Sequence, residues 1–202
     1  RFLTQATMGA NYPLISQVAS QGHEEWLEAQ FNAPIGLTIP YADFLTARLN
    51  VAEDADSEAD IDALFEVQGA PESYFGYAWW TQAMTSPDLV RQRVATALTE
   101  IFVIGTTVEE IGENPIALAT YYDLLLNNSF GNFKDLLLDV TMSPAMGVYL
   151  SHLGNARANS DKGTFPDENY AREVMQLFSI GLFELNLDGS HRKLSASSPT
   201  DS

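Results

Sequence analysis

A repeated junction narrows the fold most: a capping residue followed within two positions by proline, at Asn11-Tyr12-Pro13, Ser86-Pro87, Asn114-Pro115 and Ser143-Pro144. The cap's side-chain oxygen accepts an orphan amide of the first helical turn, and proline is tolerated there because its missing N–H would have had no partner. Apolar residues then recur at helical spacing. Leu14, Ile15 and Val18 follow the first junction, with Gly22 as the stop; Val90, Val94, Ala97, Leu98, Ile101 and Phe102 follow the second, predicting a helix to about Ile104 and a stop at Gly105. Ile116, Ala119, Tyr122, Leu125 and Leu126 follow the third, and "FGNFKDLLLDVTM" and Ser143-Pro144 open two shorter helices. "HEEWLEAQF" (His23 to Phe31) completes an αα-hairpin with the helix before it. No strand-like alternation runs over a useful length. The expectation is an all-α chain: a single helical domain of about seven to nine helices over residues 1–190, with room for a short terminal hairpin, then a polar tail from His191 to Ser202.

The 202 residues, 46% of them hydrophobic, suffice for a sizeable core. With 27 acidic against 10 basic residues the net charge is −17, which repels phosphate backbones and anionic lipid, so nucleic acid and membrane surfaces are excluded as natural partners. Cysteine is absent, which removes disulfides, thiolate metal sites and a cysteine nucleophile. No apolar run is long enough to span a bilayer. The opening "RFLTQATMGA" lacks the pattern of a signal peptide and starts without methionine, so a processed or trimmed chain is expected.

Two segments invite a ligand. "VAEDADSEADID" (Val51 to Asp62) aligns Asp54, Asp56, Glu58, Asp60 and Asp62 at alternate positions, but Ala59 stands where a calcium loop needs glycine and Phe65 where it needs glutamate. It reads as a solvated acidic loop leading into a helix around Ile61 to Val67. "PESYFGYAWWTQAMTS" (Pro71 to Ser86) sets Phe75, Ala78 and Trp79 on one helical side, Tyr74 and Tyr77 in the next row and Trp80 beside them. Such density either anchors a core or, through Trp79 or Trp80, offers a platform for a sugar face.

"PDENYAREVMQLFSIGLFELN" (Pro166 to Asn186) carries the densest set of reactive side chains, after a turn-rich loop from His152 to Asp167. Asp167 suits a cap, Glu168 faces Arg172 four residues on, Asn169 lies above Glu173, and Tyr170, Val174, Leu177, Phe178 and Gly181 form the apolar stripe. Glu173 borders that stripe, where a half-buried carboxyl can serve as a general acid with Asp167 or Glu168 as the base. Asp167 and Glu173 are six residues apart and lie far apart around the helix, so a better second carboxylate would come from another helix, with Asp135, Asp139 or Glu100 as candidates. Arg172, Asn169 and His152 would bind substrate. The competing reading is structural: a capped helix whose Glu173 pairs with Arg91 or Arg93. His152 with Asp167 or Glu168 is too sparse for a metal site, Ser179 lacks a nucleophile elbow, Asn186-Leu187-Asp188-Gly189 is a turn, and no cofactor is called for.

Taken together, "RFLTQATMG", "WLEAQF", "RQRVATALTEIFV", "FGNFKDLLLDVTMSPAMGVYLSHLGN" and "PDENYAREVMQLFSIGLFELNLDG" resemble the bacterial family called domain of unknown function 1800, from about Arg1 to Gly189. The resemblance implies a mainly helical protein that is exported, periplasmic or extracellular, and implies no chemistry. Members continue beyond the "LNLDGS" position, whereas "HRKLSASSPTDS" reads as a scar, a frameshifted end or a truncation. Two functions are carried forward: a hydrolase using carboxylate acid-base chemistry on a polysaccharide or related substrate, and a non-catalytic surface or assembly module.

Overall fold

The computed structural model describes residues 1–37 and 71–192, the side chains of 71–74 excepted; the acidic segment Val51 to Asp62 and the helix at Ile61 to Val67 lie outside the described residues. Three of the four junctions, Asn11, Asn114 and Ser143, open helices where they place them. The helices are α1 (Phe2–Ala6), α2 (Tyr12–Gln21), α3 (His23–Asn32), α4 (Pro71–Thr85), α5 (Leu89–Thr99), α6 (Glu109–Gly112), α7 (Pro115–Asn128), α8 (Phe133–Met142), α9 (Pro144–Tyr149) and α10 (Asn169–Met175). The described residues thus hold ten α-helices and no named strand, an all-α chain; α1 and α6 are too short for a periodic pattern to announce them. No described helix is long and apolar enough to cross a membrane. Contacts divide the chain into two compact units, Arg1–Tyr149 and Leu150–Ser202.

In the first unit the caps work as their chemistry requires. Asn11 Oδ1 accepts from the Leu14 amide at 2.9 Å, and Asn114 Oδ1 from the Ala117 amide at 3.0 Å. Gly22, between α2 and α3, takes φ 91°, a left-handed value that favours glycine. Leu3, Val18, Trp26 and Val90 bring α1, α2, α3 and α5 into one buried cluster, with Leu14 and Leu27 at its edge. Ile15, expected in the stripe, is exposed. Helix α7 is the centre of the unit and packs on α4, α5, α6, α8 and α9. Leu118, Ala119, Tyr121, Tyr122, Leu125 and Leu126 are all buried, the pattern of a helix enclosed on most sides.

Helix α5 departs from its expected form at both ends. It begins at Leu89 with Asp88 at the N-cap, not at Ser86, and it ends at Thr99 rather than near Ile104. Ser86 is displaced because its hydroxyl donates to Asp88 Oδ1 at 2.5 Å. The far end tightens because the Glu100 and Ile101 amides bond three residues back, to Ala97 O and Leu98 O, and the Phe102 carbonyl is taken by the Tyr121 hydroxyl at 2.7 Å. The expected stripe is also rotated: Arg91, Gln92 and Ala95 are buried with Val90, whereas Ala97 and Ile101 face solvent.

Asp88 is fully buried. Its carboxylate accepts from the Gly36 amide at 3.0 Å, the Ser86 hydroxyl at 2.5 Å and Gln92 Nε2 at 3.3 Å, and Arg91 Nε lies 3.5 Å away. Arg91 also donates to Leu126 O at 3.3 Å and covers the Phe130 ring at 4.3 Å, which joins α5 to the end of α7. Gln30 seals the near side, donating to Pro87 O at 3.0 Å and accepting from the Val90 amide at 3.2 Å. The backbone at Gly36 comes so close that a Cβ there would sit 2.7 Å from Ser86 Cβ.

In the second unit the loop before α10 is ordered by asparagines. Asn159 exchanges both backbone bonds with Thr164, at 2.9 and 3.1 Å, and its side chain accepts from the Asp161 and Lys162 amides. Asn155 grips Asp167 in the same two-way fashion, donating to its carbonyl at 2.8 Å and accepting from its amide at 2.9 Å. Past α10 the chain widens into a π-helical turn, Gln176–Ile180. This shifts the periodicity, so Leu177 is exposed where the α-helical stripe would bury it, while Tyr170 and Phe178 are buried. A small hairpin follows: Leu185 bridges His191, Asn186 to Gly189 form the turn, and Glu184 pairs with Arg192 at 3.0 Å. Ser190 donates twice to Asp188 and thereby holds that carboxyl below the usual range. His191 and Arg192, the first residues of the expected tail, therefore belong to this hairpin; residues 193–202 lie outside the described ones.

Removing the Asp88 carboxylate strands a buried guanidinium and three donors. Asp88→Ala is expected to cost about 3–5 kcal/mol in urea unfolding, the range for breaking a buried pair from one side.

Candidate functional site

The dense segment resolves into side chains with separate duties. Asp167 lies just before α10, where its Oδ1 accepts from the Asn169 amide at 2.8 Å and Asn169 Nδ2 approaches Oδ2 at 3.5 Å. Glu168 and Arg172 form an exposed ion pair at 2.5 Å, the geometry expected of an i,i+4 pair, and such pairs add little stability. Neither pair involves Glu173. That residue is half-buried, and its Oε2 is shielded from water with no hydrogen-bond partner among the described residues. His152 is half-buried and lies on the Tyr170 ring at 4.1 Å, with Phe178 beyond it at 6.3 Å from Tyr170. Glu173 thus shares a short helix with Tyr170, the middle member of a His-Tyr-Phe cluster, and stands three residues before a π-turn, a distortion frequent at functional sites.

The other named residues belong to the first unit. Arg91 is engaged by Asp88, and Arg93 is exposed near Met8 Sδ at 3.5 Å. Asp139 accepts from Asn128 Nδ2 at 2.9 Å; Asp135 and Glu100 are exposed. Among the described residues no three His, Asp or Glu side chains converge as a metal site.

Trp79 and Trp80 part company. Their rings meet edge to face at 4.7 Å, but Trp80 is exposed whereas Trp79 turns inward. Trp79 and Phe75 line a cavity of about 220 Å³ between α4, α5 and α7, with Thr96, Thr99, Tyr121 and Tyr122 among its other walls. Hydrophobic spacing gave no sign of it, because the wall that α5 contributes is polar. Asp88, Gln92, Thr96 and Thr99 follow one another at steps of four, four and three, an inward stripe written in hydrogen-bonding residues. The order of those bonds is determined. Gln92 Nε2 faces two acceptors, Gly36 O at 2.8 Å and Asp88 Oδ1 at 3.3 Å, so Gln92 Oε1 faces the Tyr122 hydroxyl at 3.2 Å and accepts from it. Thr96 Oγ1 donates to Gln92 O at 2.8 Å and Thr99 Oγ1 to Thr96 O at 2.7 Å.

Burial is the chief cause that raises the Tyr122 hydroxyl above its ordinary pKa, with its hydrogen bonds to the Thr96 and Trp79 side chains opposing it and the Asp88 and Asp123 charges adding to it. The folded chain then keeps this proton at pH values where the unfolded chain, near 10.0, has lost it. Tyr122's contribution is accordingly constant below that pH and falls as pH rises towards the folded value. Denaturant titrations across pH 8 to about 11 are expected to show wild type losing stability faster than Tyr122→Phe above about pH 10.

The family model described as "Protein of unknown function (DUF1800)" matches residues 1–193. No curated protein and no solved structure matches the chain.

Proposed function

The chain belongs to the DUF1800 family, and from that premise we propose that it is an exported hydrolase that acts by carboxylate acid-base chemistry on a polysaccharide or related substrate. The observation that carries the reading is Glu173. A carboxyl oxygen withdrawn from water and lacking a partner is costly in a purely structural role, and a carboxyl is a side chain that general acid-base catalysis employs. In this reading Glu173 gives its proton to the leaving oxygen of a glycosidic or activated ester bond. Asp167, which Asn155 holds in place and no cation neutralises among the described residues, takes a proton from the attacking water. Glu168 is the weaker choice for that base because Arg172 already pairs with it. The products leave with both carboxyls needing to exchange one proton through solvent, which restores the starting state.

The export of the protein is part of this proposal and rests on the family resemblance. A second reading, the non-catalytic assembly module, has its own support: Leu177, Ile180, Leu182, Phe183, Leu185 and Leu187 present exposed apolar side chains within eleven residues of sequence.

Hydrolysis of a panel of chromogenic glycosides and aryl esters separates the two. Glu173→Gln is expected to lower kcat by at least about 100-fold, the usual share of one general acid, with Tm within a few degrees of wild type. Wild type without turnover above buffer, or a variant that retains it, would leave the assembly module as the standing account.

A further inference from the structure

Independently of the acid-base reading, the first unit holds a cavity whose walls specify a ligand. Its volume of about 220 Å³ exceeds the roughly 150 Å³ in which a dry, apolar engineered cavity of another protein takes up benzene, so one ring with a small substituent fits. Phe75, Trp79, Tyr121 and Tyr122 supply aromatic faces and edges for such a ring. The polar atoms set the substituent. The Tyr121 proton goes to Phe102 O, the Tyr122 proton to Gln92, the Thr96 proton to Gln92 O and the Thr99 proton to Thr96 O. Every one of these protons is committed to a protein acceptor, three of them to backbone carbonyls and that of Tyr122 to the Gln92 side chain, whose Nε2 in turn donates to the buried Asp88 carboxylate. What the threonine hydroxyls retain is acceptor capacity.

We propose that this cavity binds a neutral, single-ring aromatic molecule bearing one hydroxyl, a phenol-type ligand, which stacks against Trp79 and donates its proton to Thr96 or Thr99. A charged ligand would lose its hydration without a counter-charge on the cavity wall, and a sugar would bring several hydroxyls to a wall whose tyrosine, Thr96 and Thr99 protons are already committed, leaving the hydroxyl of Thr106 at its exposed edge. Asp88 stands behind Gln92 with its own charge matched by Arg91, and it does not line the cavity.

Titration calorimetry of the 202-residue chain with phenol, toluene and glucose tests the assignment. Phenol is expected to bind about fivefold more tightly than toluene, the gain from one hydrogen bond, and glucose to give no saturable heat. Thr99→Val and Thr96→Val, made singly, keep the shape of the wall; in at least one of them phenol should fall to the affinity of toluene while toluene itself is unchanged. Leu118→Trp, which fills the cavity from α7, should abolish both. Binding that persists in a folded Leu118→Trp chain, glucose binding above toluene, or the absence of any ring binding to folded wild type would each overturn the proposal. If Leu118→Trp does not fold, the threonine variants decide: a phenol preference undiminished in both overturns it.

Discussion

The buried carboxylate of Asp88 is the interaction on which the first unit depends. A charge with no exposure to water survives only where its hydration is replaced, and here one backbone amide, one hydroxyl, one side-chain amide and a guanidinium replace it. Those partners come from three places in the chain, the segment after α3, the turn before α5 and the body of α5, and Arg91 carries the arrangement on to the end of α7. One side chain therefore sets the register between elements that apolar packing alone would leave free to slide. Gly36 belongs to the same arrangement, since any side chain there would collide with Ser86 and Asp88.

How much of this could be read beforehand depended on which physical rule governed each segment. Local rules were legible: the Asn11 and Asn114 caps, the Gly22 stop, the α2–α3 hairpin, the Glu168–Arg172 pair and the turn at Asn186 to Gly189 all follow from chemistry within a few residues. The all-α class followed from the same grammar. Rules that need a distant partner were not. Ser86 has the chemistry of an N-cap, and only the burial of Asp88 redirects its hydroxyl. The inward face of α5 escaped notice because a search for apolar periodicity passes over Asp88, Gln92, Thr96 and Thr99, although their spacing is helical. α-Helical counting places Leu177 in the apolar stripe, and the π-turn at Gln176–Ile180 invalidates that counting.

The candidate site was legible in composition and not in arrangement. Asp167, Glu168, Asn169, Arg172 and Glu173 look alike in sequence as a run of polar groups opening a helix. In space three of the four charged ones are accounted for, Asp167 by backbone bonds with Asn155 and Asn169, Glu168 and Arg172 by each other. Glu173 is the one that is left. Two carboxyls of the described residues thus stand in opposite circumstances with oxygen withdrawn from water: Asp88 surrounded by donors, and Glu173 with an oxygen that meets none among those residues. The first has the signature of architecture. The second is the group to which the proposed chemistry is assigned, and functional residues are commonly kept at a cost to stability.

That contrast can be measured without knowing the substrate. Glu173→Met keeps the length of the side chain and removes the stranded oxygen, so equilibrium unfolding in urea at pH 7 reports directly what the carboxyl costs. A gain of about 1 kcal/mol or more is the result this account requires, since an unsatisfied buried polar atom costs about 1–3 kcal/mol. A loss of that size would show that Glu173 holds the fold together, and would contradict the assignment of chemistry to it.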